Sequence, residues 1–247
     1  MSEITSLIEE IKKSKKNIQV FVPSIGSTVT LNPITLAQQS KIIETVSGDF
    51  EIANNPILAL LEFNSITFNI IKNNVVEYQP IFNTIDRVNF IIALKSYLDR
   101  EVVVDDVKFD LPEILKRNQT LEYLIQDDML ASGDISIEVS VPSLETDNIV
   151  NNLLLRKYKT SNSQNKKLLS DVYIFEALKF IDKISIGNHS QIIKKDIKSL
   201  NLLREIDIMT LKPVFDYINR VRELEETYAK NTVDSNILDL TPDIFIS

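Results

Sequence analysis

The chain has 247 residues, 44% apolar and 25% charged, with mean hydropathy near zero. That is enough for one large globular unit and too apolar for a disordered chain. The net charge of −8 argues against sequence-independent nucleic-acid binding, and the lack of cysteine excludes disulfides, thiolate nucleophiles and Cys-based metal sites.

Ile is used 35 times and Asn 21 times, with only 4 Gly and no Trp. This bias belongs to AT-rich coding and says more about the host than the job. The start MSEITSLIEEIKK has no apolar signal core, so no secretory signal is expected. No apolar stretch reaches transmembrane length, so no membrane span is expected. The sequons at Asn118 and Asn188 then read as accidental.

Residues 3–14 carry Ile4, Leu7, Ile8 and Ile11 at helical spacing, and Lys12–Lys16 form the charged end of that helix. IQVFV and STVTL form a hairpin around Gly26, where a residue free to take positive φ is needed. Asn32 and Pro33 give the start signal of a helix that Gly48 closes. Asn55-Pro56 repeats that signal before ILALLEFNSITFNIIKNN. A third helix starts near Thr84 as N-cap and ends at Asp99–Glu101.

VVVDDVKFDL reads as a second hairpin around Asp105-Asp106, and DISIEVSVP as an alternating strand. From 144 the spacing turns helical through DNIVNNLLLRKY, KKLLSDVYIFEALKFIDKI, HSQIIKKDIKSLNLLREI and TLKPVFDYINRVRELEETYAKN, and NILDLTPDIFIS reads as extended. The expectation is an α+β fold, predominantly helical, with an N-terminal β hairpin and a short β-rich middle. Its regions are 1–100 (hairpin plus helices), 101–143 (β-rich) and 144–247 (helical), packed as one compact unit.

No catalytic pattern is visible. His189 is the only histidine and reads as a surface loop residue. There is no phosphate-binding glycine loop and no nucleophile elbow. Asp105-Asp106 and Asp127-Asp128 lack calcium-loop spacing and read as turns and caps. No cofactor and no metal is expected.

Val-Pro-Ser occurs twice, at Val22, Pro23 and Ser24 and at Val141, Pro142 and Ser143, each time leaving a strand. Proline fixes φ and removes a donor, so each copy ends its strand cleanly. An open edge beside such a stop suits addition of another chain's strand, so these residues and Gly26 are candidate partner contacts. Arg220, Arg222 and Glu225, on the helix RVRELEETY, form a second candidate face.

The order of phrases carries a resemblance. VPSIGSTVTLNPIT leads LAQQSKII, and DRVNFIIALKSYLDRE, ISIEVSVPSLETDNIVNN, DVYIFEALKFIDKISIG, FDYINRVRELEE and LDLTPDIF come after in turn. This succession, over about residues 18–246, resembles the baseplate hub subunit family of T4-like contractile-tailed bacteriophages. One departure is Ala37-Gln38-Gln39, where relatives have a Lys/Glu-rich helix start. The resemblance implies a non-enzymatic virion component, assembled in the host cytoplasm. Its partners would be other phage baseplate or tail proteins, with no nucleic acid, membrane or small-molecule substrate. A transient hub assembly chaperone is the alternative. A metal-dependent hydrolase using Asp105, Asp106, Asp127 or Asp128 is a remote one.

Overall fold

The computed structural model describes residues 16–47, 55–160 and 166–245. The expected helix over 3–14 and the closure at Gly48 lie outside them. The described residues form an α+β fold with eight α-helices and three antiparallel sheets.

Strands β1 (Ile18–Val22) and β2 (Ser27–Leu31) pair in register around a short 3-10 turn, Pro23–Ile25. Alternation points Val20, Val22, Val29 and Leu31 into the core. Gly26 closes the turn at φ +59 and donates its N–H to the Pro23 carbonyl at 3.2 Å. A Cβ there would meet nothing within 4 Å, so a substitution suffers backbone strain alone. Gly26→Val is expected to cost about 2 kcal/mol and Gly26→Ala about 1 kcal/mol by urea denaturation. Equal stability of all three proteins would contradict this.

The helix after the hairpin, α1 (Leu36–Ser47), starts later than expected. Asn32 does not cap it. Thr35 and Gln38 do: the Gln38 N–H meets Thr35 Oγ1 at 3.3 Å and Gln38 Oε1 accepts the Thr35 N–H at 2.9 Å. Asn32 and Pro33 instead meet Asn74, whose side chain donates to both carbonyls at 3.2 Å. The first glutamine of the divergent Ala-Gln-Gln start thus has a structural role.

Helix α2 (Pro56–Asn74) begins as expected, with Asn55 Oδ1 accepting the Ile57 and Leu58 N–H groups. Helix α3 (Thr84–Leu98) is the axis of the molecule, and every residue from Thr84 to Lys95 is buried. Such a helix is a core element walled on all sides. β3 (Glu101–Val104) and β4 (Val107–Asp110) form the second hairpin. Its turn places both Asp105 (φ +48) and Asp106 (φ +64) in the left-handed region, as a two-residue hairpin turn requires. β4 runs into α4 (Leu111–Asn118), capped by Asp110.

The largest sheet has strand order β5 (Asp128–Ser132), β6 (Ile135–Val139), β7 (Ile181–Ile186), β8 (His189–Ile192). Two segments read as helical are therefore strands. IDKISI sets Ile181, Ile184 and Ile186 among polar residues and pairs with β6 across a register shift at Glu138/Val139, and HSQI is the outer edge. His189 sits on this edge strand, exposed, rather than in a loop. Helices α5 (Leu144–Thr160) and α6 (Lys166–Phe180) lie between β6 and β7 in the chain, so residues 144–247 supply half the sheet.

Helices α7 (Ile197–Arg204) and α8 (Ile208–Ala229) complete the helical layer. The tail closes on the core through a 3-10 turn, Pro242–Phe245, rather than an extended strand. Phe245 packs on Phe63 of α2, the rings tilted at 55° with centroids 6.2 Å apart.

Candidate partner-contact site

The two Val-Pro-Ser turns meet at one place, the N-terminus of α3. A helix leaves its first N–H groups without intrahelical partners, and here the Pro142 carbonyl of the second turn and the Asn83 side chain accept them, while the first turn docks on the Asp86 carboxylate. Asn83 is the N-cap, one residue before the expected Thr84. Its Oδ1 accepts from Ile85 N at 3.0 Å and Asp86 N at 3.3 Å, while Asp86 Oδ2 accepts the Asn83 N–H at 2.8 Å. This is a reciprocal capping box.

The first Val-Pro-Ser docks on the same carboxylate. Ser24 donates its N–H to Asp86 Oδ1 at 2.9 Å and its hydroxyl to Oδ2 at 2.6 Å. The second docks by backbone. Pro142 O accepts the Thr84 N–H at 3.2 Å, Leu144 donates to Phe82 O at 2.8 Å, and Asn83 bridges Ser143. Ser143 Oγ then caps α5 by accepting the Thr146 N–H at 3.2 Å. Pro23 stops β1 directly, whereas β6 already ends at Val139, three residues before Pro142; both serines fix the chain beyond, beside the same helix end.

Several candidate contact residues are therefore internal. Val22, Pro23 and Pro142 are buried, because strand alternation and the turn direct them inward. Ser24, Val141 and Ser143 are half-buried and line a polar cavity of about 440 Å³, with Asn83, Tyr123 and Lys179. Gly26 is exposed. Burial pushes the Asp86 carboxyl up to about 6, against the hydrogen bonds from Ser24 and Asn83.

Beneath this junction lies a buried charge cluster that sequence reading missed. Asp147 pairs with Arg87 and with Lys179 (2.9 Å), and accepts the Asn151 side-chain N–H at 2.9 Å. Lys179 also meets Glu176 at 2.5 Å, and Arg222 reaches the other Glu176 oxygen at 3.5 Å. Burial pushes the Asp147 carboxyl up, but the two cations outweigh it and hold the group well below the usual carboxylate range. Burial likewise pushes Lys179 down, and Asp147 and Glu176 more than reverse it. The cluster pins α3, α5 and α6 together, with α8 attached through Arg222.

The C-terminal candidate face divides. Arg220 lies over the Tyr217 ring at 5.3 Å and reaches Asp128 at 3.5 Å. Arg222 ties to Glu176, as above. Glu225 is half-buried against α3; burial raises its pKa, against the Thr84 hydroxyl and the Arg87 charge. Reversing Arg220 and Arg222 together to Glu is expected to change stability by under about 1 kcal/mol per lost exposed pair and to weaken capture of any partner held on this face. Unchanged capture with unchanged melting would show a face that is merely solvated.

A buried amide relay is the other feature the sequence hid. Asn118 donates to Asn89 Oδ1 at 2.7 Å and to Tyr228 O at 2.8 Å, and Asn89 donates to Phe21 O at 2.9 Å. Beside it, Arg117 donates to four carbonyls at the end of α8, those of Thr227, Tyr228, Lys230 and Asn231. Asn118, read as part of a sequon, is a core residue.

Among the described residues, no group of three or more His, Cys, Asp or Glu side chains is placed to hold a metal ion, and no helix is long and apolar enough to cross a membrane. Asp128 accepts the Met129 N–H and faces Arg220, while Asp105 and Asp106 form their turn. No protein family, no curated protein and no solved structure matches the chain.

Proposed function

We propose that the chain is a non-enzymatic structural component of a contractile phage tail baseplate, in its hub region, working through protein–protein contacts during tail assembly. The observation that carries this reading is where the resembling phrases fall. VPSIGSTVTLNPIT forms the β1–β2 hairpin, DRVNFIIALKSYLDRE forms α3, and ISIEVSVPSLETDNIVNN forms β6 and the start of α5. These three phrases meet at the α3 N-terminus, so the ordered succession corresponds to one spatial core.

The surface supports a contact role. The outer sheet strand β8 is exposed along its length, uncharged and free of proline, so only its four-residue length guards this edge. Ile186 and Ile192 are 52% and 67% exposed on and beside it.

The test is mass spectrometry of purified particles together with a pull-down from infected cells. Presence in particles at a fixed ratio to other tail proteins is the expected result. Capture from cells without presence in particles would replace a structural role with a transient assembly one. Absence from both would overturn the phage assignment.

A further inference from the structure

An open cleft of about 440 Å³ lies between α2, α3, α8 and the C-terminal segment 237–240. Its volume is within the range of small ligand pockets, about 300–1,000 Å³. The wall is apolar, with Leu60, Ile91, Ile237 and Leu240, and two of these stay open to solvent: Leu60 is 41% exposed and Ile237 46%.

Three acidic residues join this wall. Glu225, Glu226 and Asp239 all border the cleft. None of the three forms an ion pair among the described residues. The one cation among the described residues of the wall, Arg87, is committed to Asp147. Glu225 is half-buried and Glu226 and Asp239 are exposed, so the acidic groups run from the wall of the cleft to its rim.

Such a site repels anions and favours a cation at its rim. The body that fits is apolar along its length and positive at its ends. Lysine and arginine have that form, with alkyl stems that pack on apolar walls while the head groups reach outward. We infer that this cleft docks a lysine- or arginine-bearing amphipathic segment of a partner protein, stems against Leu60 and Ile237 and head groups on Glu226 and Asp239. This rests on the protein–protein role proposed above and names a surface for it. Opposite charge at the rim governs specificity and encounter rate, so salt weakens the contact.

The test titrates the isotope-labelled full chain with a synthetic peptide of alternating leucine and lysine, followed by amide chemical shifts. Shifts are expected at Leu60, Ile91, Ala229, Ile237 and Leu240, with an affinity that falls as salt rises. Glu226→Lys with Asp239→Lys, at two exposed positions, should lower affinity about tenfold or more with the thermal midpoint unchanged. Leu60→Ser should lower it independently. A leucine–glutamate peptide should leave the cleft amides unmoved. Shifts scattered over the whole acidic surface, an affinity indifferent to salt or to the charge reversal, or equal binding of the glutamate peptide would each overturn the inference. The titration uses only the isolated chain and the particle analysis only the phage, so either can fail without the other.

Discussion

Replacing Asp147 with Asn is expected to destabilise the protein by about 3–5 kcal/mol, because it strands the Arg87 cation in the interior and leaves buried Lys179 with Glu176 alone. For a chain of this size that is a fall in melting midpoint of roughly 10 °C. The cause is distinguishable from simple loss of hydrogen bonds. Replacing the triad together, with Arg87→Met, Asp147→Leu and Lys179→Met, removes the charges as well as the pairing and should recover most of the loss. Glu176 keeps Arg222 as a partner in that background. Thermal unfolding of both variants decides the matter. A triple variant as unstable as the single one would mean the cluster stabilises through direct attraction rather than through balance of buried charge.

Asp86→Ala is expected to cost about 2–3 kcal/mol near pH 7.5, since the change removes one half of a capping box and both anchors of Ser24. The cost should depend on pH with a definite sign. The folded carboxyl titrates near 6, above its unfolded value, so its contribution is fully present below about pH 4 and is lost as pH rises through about 6. The difference between wild type and Asp86→Ala should therefore be larger at pH 4.5 than at pH 7.5. Asp147 runs the other way: its depressed pKa contributes stability above the unfolded value that is lost as pH falls through the folded one. Urea unfolding of wild type and variant at several pH values separates the two. A difference that is flat, or that grows toward pH 7.5, would show that hydrogen bonding outweighs burial at Asp86.

The legibility of the fold depends on how local each signal is. The hairpin turn at Gly26, the Asn55 cap and the Asp105-Asp106 turn are decided within a few residues, and each stands where the sequence puts it. The α3 cap misses by one residue because Asn83 and Thr84 are both competent caps, and the deciding partner, Asp86, sits three beyond the first and two beyond the second. β7 and β8 were hidden because IDKISI and HSQI adjoin helical runs; the strand character of β7 depends on pairing with β6, more than 40 residues earlier, and β8 in turn pairs with β7. Local propensity gives way there to tertiary pairing.

The candidate contacts fared similarly. The doubled Val-Pro-Ser was visible, but that both copies meet one helix end is a fact of three dimensions. Asp86, Arg87, Asn89 and Lys95, set in the otherwise apolar α3, were the available sign of a buried polar network. Lys95 pairs with Asp99 one turn on and Asp86 with Asn83 three residues back, but the partners of Arg87 and Asn89, Asp147 and Asn118, lie too far along the chain for any spacing rule.

The burial of α3 also bears on how the chain can be made. The walls of that helix come from both directions along the sequence: Phe21 accepts from Asn89, Asp147 pairs with Arg87, and Tyr228 is tied in through Asn118. Translation at about 5–20 residues per second finishes α3 on the order of ten seconds before α8 and the closing phenylalanine emerge. Throughout that interval a helix that the folded protein buries on every side lacks its C-terminal walls. Yield in a cell is then limited by whatever shelters the nascent N-terminal half, and a chain cut short before α8 is a precursor of aggregates rather than a smaller working domain.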